Sequence, residues 1–86
     1  MTTRELTLIK SVLEYLHSLD GGQADELLIH REVYAATQPP PSAPELDNVL
    51  KHCALLRWIT GVPSKLTRKM KWNINDAGEA ALLDMR

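Results

Sequence analysis

The chain has 86 residues, 44% of them hydrophobic and 24% charged, and a formal net charge of −1 at pH 7. That length leaves room for one core, so a single domain over residues 1–86 is expected, and the composition is that of an ordinary globular protein. Cys53 is the only cysteine, which excludes an internal disulfide, and no run approaches the ~20 apolar residues of a membrane span; a soluble, cytoplasmic protein is expected.

The N-terminus, Met1-Thr2-Thr3-Arg4-Glu5, carries no apolar signal segment but a capping box, Thr2 with Glu5, that starts a helix. Leu6, Ile9, Leu13 and Leu16 recur at three- and four-residue spacing, with Val12 and Leu19 widening the stripe. Asp20-Gly21-Gly22 ends this first helix, Gly21 being free to take the left-handed conformation. His17 lies on the flank of the stripe and reads as a half-exposed surface residue. Leu27-Leu28-Ile29 is expected as a short strand, because a lone two-stranded hairpin further on needs a third partner. Arg31 to Thr37 reads as a second helix with Val33, Tyr34 and Ala36 on its apolar side and His30 as its cap.

Pro39-Pro40-Pro41 stops that helix, since proline has no N–H to donate. Ser42 and Glu45 form a second capping box, with Pro44 in the first turn, where a missing N–H is harmless. A third helix follows, over residues 43–56. Leu46, Val49, Leu50 and Cys53 are expected in the core, Cys53 as a small buried hydrophobe, leaving Glu45, Asp47, Asn48, Lys51 and His52 outside. Trp58 to Val62 and Met70 to Ile74 are β-prone runs joined by a charged connection, with Met70, Trp72 and Ile74 on one face and Lys71 and Asn73 on the other. Asn75 caps a last helix in which Ala77, Ala80, Ala81 and Leu82 are expected to face inward.

The small net charge hides a segregation. Residues 21–50 set Arg31 against Asp25, Glu26, Glu32, Glu45 and Asp47. Residues 51–71 carry Lys51, Arg57, Lys65, Arg68, Lys69 and Lys71 and no acid. A compact basic surface on an acidic body is expected, so the overall charge is a poor guide to partners.

The order helix, short strand, helix, turn, helix, hairpin, helix resembles the winged helix-turn-helix domain, in the style of MarR- and PadR-type regulators and small phage-encoded proteins. Glu45-Leu46-Asp47-Asn48-Val49-Leu50 running into Trp58-Ile59 is similar to that family's third helix and second strand. Lys71-Trp72-Asn73-Ile74-Asn75-Asp76-Ala77-Gly78 is similar to its aromatic-x-Ile/Leu-Thr-x-x-Gly junction before the final helix. The resemblance implies a mostly helical α+β fold: a three-helix core, a β-hairpin wing and a C-terminal helix. Arg57 stands where the family usually has Gly, and a left-handed Arg there would cost about 1 kcal/mol. Asn75 replaces the usual Thr, and both cap helices.

The function this implies is DNA binding, as in a transcriptional regulator, through helix 43–56 and the basic wing 63–71. Lys51, Arg57, Lys65, Arg68, Lys69 and Lys71 would neutralise phosphates. Asn48 is the candidate for a base edge, because its amide can pair bidentately with adenine, with Lys51 and His52 assisting at guanine or phosphate. The alternative is a protein-interaction winged helix that binds no DNA, motivated by Glu45 and Asp47 on the third helix and by surplus Leu55, Leu56 and Leu66. A homodimer through the two terminal helices fits either reading. Catalysis is not expected: His52 and Cys53, being adjacent, point about 100° apart on a helix. His17, His30, His52 and Cys53 lack metal-site spacing, so no cofactor or metal is expected.

Overall fold

The computed structural model describes residues 2–66 and 69–86. Within them the order is α1 (Thr3–Ser18), β1 (Ala24–Asp25), α2 (Glu26–Ala36), α3 (Ala43–Leu55), β2 (Ile59–Pro63), β3 (Met70–Ile74) and α4 (Asp76–Met85). The strands form an antiparallel sheet in the order β1-β3-β2. The result is a mostly helical α+β domain with four helices and a three-stranded sheet among the described residues.

Helix α1 begins where Thr2 Oγ1 accepts a 3.0 Å hydrogen bond from the Glu5 amide. It buries Leu8, Ile9, Val12, Leu13 and Leu16. Leu6, expected in that stripe, is exposed, and Leu8 takes its place. The reason is that α1 packs on α2, α3 and α4 together, so its apolar arc is wide and centred between the 8–12 and 9–13–16 lines. The helix ends through Asp20 (φ 51°) and Gly21 (φ 86°), as the Asp-Gly-Gly sequence indicates.

The strand expected at Leu27-Leu28-Ile29 is not there. Those residues form the first turn of α2, and the third strand is Ala24–Asp25, paired with Trp72 and Lys71 of β3. Asp25 decides the boundary: its Oδ1 accepts from the Leu28 amide at 2.9 Å and caps a helix starting at Glu26. His30 is therefore inside α2 rather than its cap. The helix buries Ile29 and Val33, one turn apart, which turns Tyr34 and Ala36 outward.

Helix α3 has the full capping box, with Ser42 Oγ accepting from the Glu45 amide and Glu45 Oε1 from the Ser42 amide. Leu46, Val49, Leu50 and Cys53 line its buried side, as their spacing predicts. Its C-terminus closes by a Schellman motif: the Trp58 amide donates to the Cys53 carbonyl and the Arg57 amide to the Ala54 carbonyl, both at 3.0 Å. Arg57 occupies the left-handed position of that motif, with φ 61°. The non-glycine residue is thus accommodated without reshaping the helix exit.

In the hairpin, Gly61 lies opposite Trp72. A Cβ at Gly61 would come 2.8 Å from the Trp72 ring, so the missing side chain lets Met70 and Trp72 fold across β2. Helix α4 then packs back through Gly78 and Leu82, with Ala81 and Met85 partly covered. Ala77 and Ala80, expected to face inward, are exposed because the 78–82 line is the one that meets the core. No helix among the described residues is long and apolar enough to cross a membrane.

Candidate nucleic-acid interface

The buried side of α3 fixes what its outer side presents. With positions 46, 49, 50 and 53 in the core, positions 44, 48, 51 and 55 form a line on the opposite face, at successive spacings of four, three and four. Pro44, Asn48, Lys51 and Leu55 are all exposed, Leu55 to 82%. Two of the expected contact residues, Asn48 and Lys51, are therefore neighbours on the outermost ridge of the helix.

The two acids of α3 do not project from that ridge. Glu45 is gripped by Arg4 of α1, whose Nε donates to Oε2 at 3.0 Å and whose Nη2 donates to Oε1 at 3.2 Å. This bidentate pair, with the Ser42 amide also donating to Oε1, turns the carboxylate toward α1. The Arg4 hydrogen bond and charge hold the Glu45 carboxyl below the ordinary carboxylate range, and Glu45 in turn raises Arg4. Asp47 lies on the other flank, its Oδ1 3.2 Å from His30 Nε2 of α2. Neither partner was legible in the sequence, because Arg4 and His30 lie 41 and 17 residues away and only helix packing brings them to α3.

His52 is only half exposed, and its Nε2 is covered by protein atoms with no hydrogen-bond partner. With that nitrogen covered, His52 has less to offer a ligand than the exposed Asn48 or Lys51. The neighbouring Cys53 is enclosed, and burial pushes its thiol up to about 12. A thiol held that high supplies no thiolate nucleophile near neutral pH. No group of three or more His, Cys, Asp or Glu side chains among the described residues is placed to hold a metal ion.

The remaining expected contacts divide between two places. Arg57 is exposed at the exit of α3, where its carbonyl accepts from Asn75 Nδ2 at 2.7 Å. Lys65, Lys69 and Lys71 are exposed on the hairpin; Arg68 lies outside the described residues. Lys71 sits in β3 opposite Val62 of β2 and Asp25 of β1, on the face away from Trp72. Lys69 shares a groove of about 500 Å³ with Asp47 and His30, so the base of the hairpin tip adjoins one flank of α3. Lys51, Arg57, Lys65 and Lys71 enter no ion pair among the described residues. Leu66 at the tip is 96% exposed.

Exposed ammonium groups, as on the hairpin, can neutralise phosphates, and an exposed amide, as on the α3 ridge, can present a donor–acceptor pair to a groove edge. No family model matches the chain, and neither curated proteins nor solved structures give a match.

Proposed function

We propose that the chain is a winged helix-turn-helix domain that binds double-stranded DNA, as a transcriptional regulator does. Helix α3 would lie in the major groove and the β2–β3 hairpin would act as the wing on the flanking backbone. The element order and the β1-β3-β2 sheet are compatible with that architecture. The observation that carries the reading is the sideways pairing of Glu45 with Arg4 and of Asp47 with His30. Acids at the start of a groove-binding helix would face phosphates; here both are paired off the ridge that bears Asn48 and Lys51.

Phosphate neutralisation falls to Lys51, Arg57, Lys65, Lys69 and Lys71, a set that supplies affinity without sequence information. The test is the salt dependence of binding to a duplex of about 20 base pairs. Five such contacts give a slope of log K against log[salt] of about −4 to −5 per subunit. A slope near zero, or no binding to any duplex, would end this reading. A homodimer through α1 and α4 belongs to the proposal, because two copies double the phosphate contacts; light scattering at micromolar concentration should report twice 9.7 kDa.

A second reading, a protein-interaction module that binds no DNA, is favoured by the exposure of Leu55 and Leu66. It expects no salt-dependent retention of a duplex, so the same titration separates the two.

A further inference from the structure

The ridge of α3 has a chemistry of its own beyond a basic surface. Reading along it, Pro44 is apolar, Asn48 is an amide, Lys51 an ammonium and Leu55 apolar, with no carboxylate and no arginine. The exposure of all four and the burial of 46, 49, 50 and 53 behind them make it one continuous line. At 1.5 Å rise per residue, Asn48 stands about 6 Å from Pro44 and about 10 Å from Leu55 along the axis. Those distances match roughly two and three base steps at about 3.4 Å each.

Each group has a preferred base. An amide pairs bidentately with the N6 and N7 of adenine, and apolar groups in the major groove meet the thymine methyl. Arginine, whose planar fork makes the geometrically specific bidentate contact with guanine, is absent from this ridge, and Lys51 is the one side chain on it that could donate to guanine. Lys51, a flexible point charge between the ends, suits a phosphate on the groove wall.

Resting on the duplex-binding reading, we infer that this ridge selects A·T base pairs, with Asn48 on an adenine edge and Pro44 and Leu55 on thymine methyl groups to either side. The acids that would accept from cytosine N4 are the two that Arg4 and His30 hold aside. The same two contacts that admit a duplex therefore also narrow which base pairs the helix reads.

The test changes the DNA before it changes the protein. Fluorescence anisotropy at one salt concentration compares three duplexes of about 20 base pairs. They are alternating A·T, alternating G·C, and the A·T duplex with deoxyuridine in place of thymidine, which lacks the C5 methyl. The full chain should bind the A·T duplex about tenfold tighter than the G·C duplex. It should lose about fourfold per contacted methyl on the change to deoxyuridine. Leu55→Ser and Pro44→Ser, both at exposed positions, should each reduce that methyl response. Replacing adenine by 7-deazaadenine should weaken the full chain about tenfold and leave Asn48→Ala unmoved. Equal affinity for A·T and G·C, preference for G·C, or indifference to the thymine methyl overturns the inference; affinity that falls steeply when the A·T titration is repeated at rising salt leaves duplex binding intact. Absence of binding to all three duplexes removes both.

Discussion

The side chain of Asn75 donates from Nδ2 to the backbone carbonyl of Arg57 at 2.7 Å, tying the start of α4 to the left-handed residue that ends α3. The same amide reaches Thr60 Oγ1 at 3.3 Å, while Asn75 Oδ1 accepts from the Gly78 amide at 2.9 Å and caps α4. One side chain thus closes one helix exit and opens another helix. Asn75→Ala should lower stability by about 1–2 kcal/mol, the loss of a cap together with a bond to a strained carbonyl. A midpoint in urea unchanged within error would show the junction to be held by packing alone.

Arg57 itself is strained at φ 61°, and glycine is the residue that takes this position without cost. Arg57→Gly should raise stability by about 1 kcal/mol while weakening duplex binding and making the salt slope shallower by about 1 unit. Thermal denaturation and anisotropy on the same variant measure the two effects separately. A destabilised Arg57→Gly would mean that the side chain, not the backbone, holds the exit.

Gly78 is required for a different reason. It is buried, and a Cβ there would be driven into the Trp58 carbonyl oxygen and to 2.7 Å from Ile74 Cγ1. Because the obstacle includes backbone, relaxation cannot come from a side-chain rotation. Gly78→Ala should cost about 3 kcal/mol, at the upper end for overpacking, despite alanine's better helix propensity. Equilibrium unfolding with a wild-type m-value and a near wild-type midpoint would contradict this packing.

The Arg4–Glu45 pair predicts a pH effect whose sign is fixed. The carboxyl of Glu45 is held below its ordinary value of 4.5, chiefly by the hydrogen bond from Arg4. The unfolded state therefore binds the proton first as pH falls, so the pair's contribution is full above pH 4.5 and fades below it. Arg4→Ala should be less stable than wild type at neutral pH and should show a smaller further loss on acidification below pH 4.5. Parallel stability curves for the two proteins across that range would show that the pair contributes nothing.

Cys53 offers a probe of global opening. Its thiol is fully enclosed and pushed up to about 12, so a thiol-specific reagent near neutral pH should react only through unfolding. The rate should rise with denaturant in step with the unfolded fraction. Rapid labelling without denaturant would show that the α3 core opens locally.

What could be read from the residues is what is decided within a turn or two of chain. The Ser42–Glu45 capping box, the Asn75 cap, the Leu46–Val49–Leu50–Cys53 side of α3 and the Gly21 turn all follow from groups at most seven residues apart. Asp25 belongs with them: an acid just before the apolar run at Leu27 is a helix-start signal that outranks the β propensity of three aliphatic residues. Strand β1 is different, since two residues have no pattern of their own and become a strand only by register against Trp72 and Lys71.

The side chains that shape the candidate interface lie on the far side of that limit. Glu45 and Asp47 read as exposed acids because their partners are 41 and 17 residues distant. His17 read as a bystander, yet its Nδ1 lies 2.7 Å from Glu79 Oε2 and links α1 to α4. The sequence by itself determined α1, α3, α4, the hairpin and the segregation of positive charge along the chain, because hydrophobic period, caps and composition act locally. Only the tertiary structure decided which charges are paired and which stand outward, because helix–helix packing sets the distances over which those charges act.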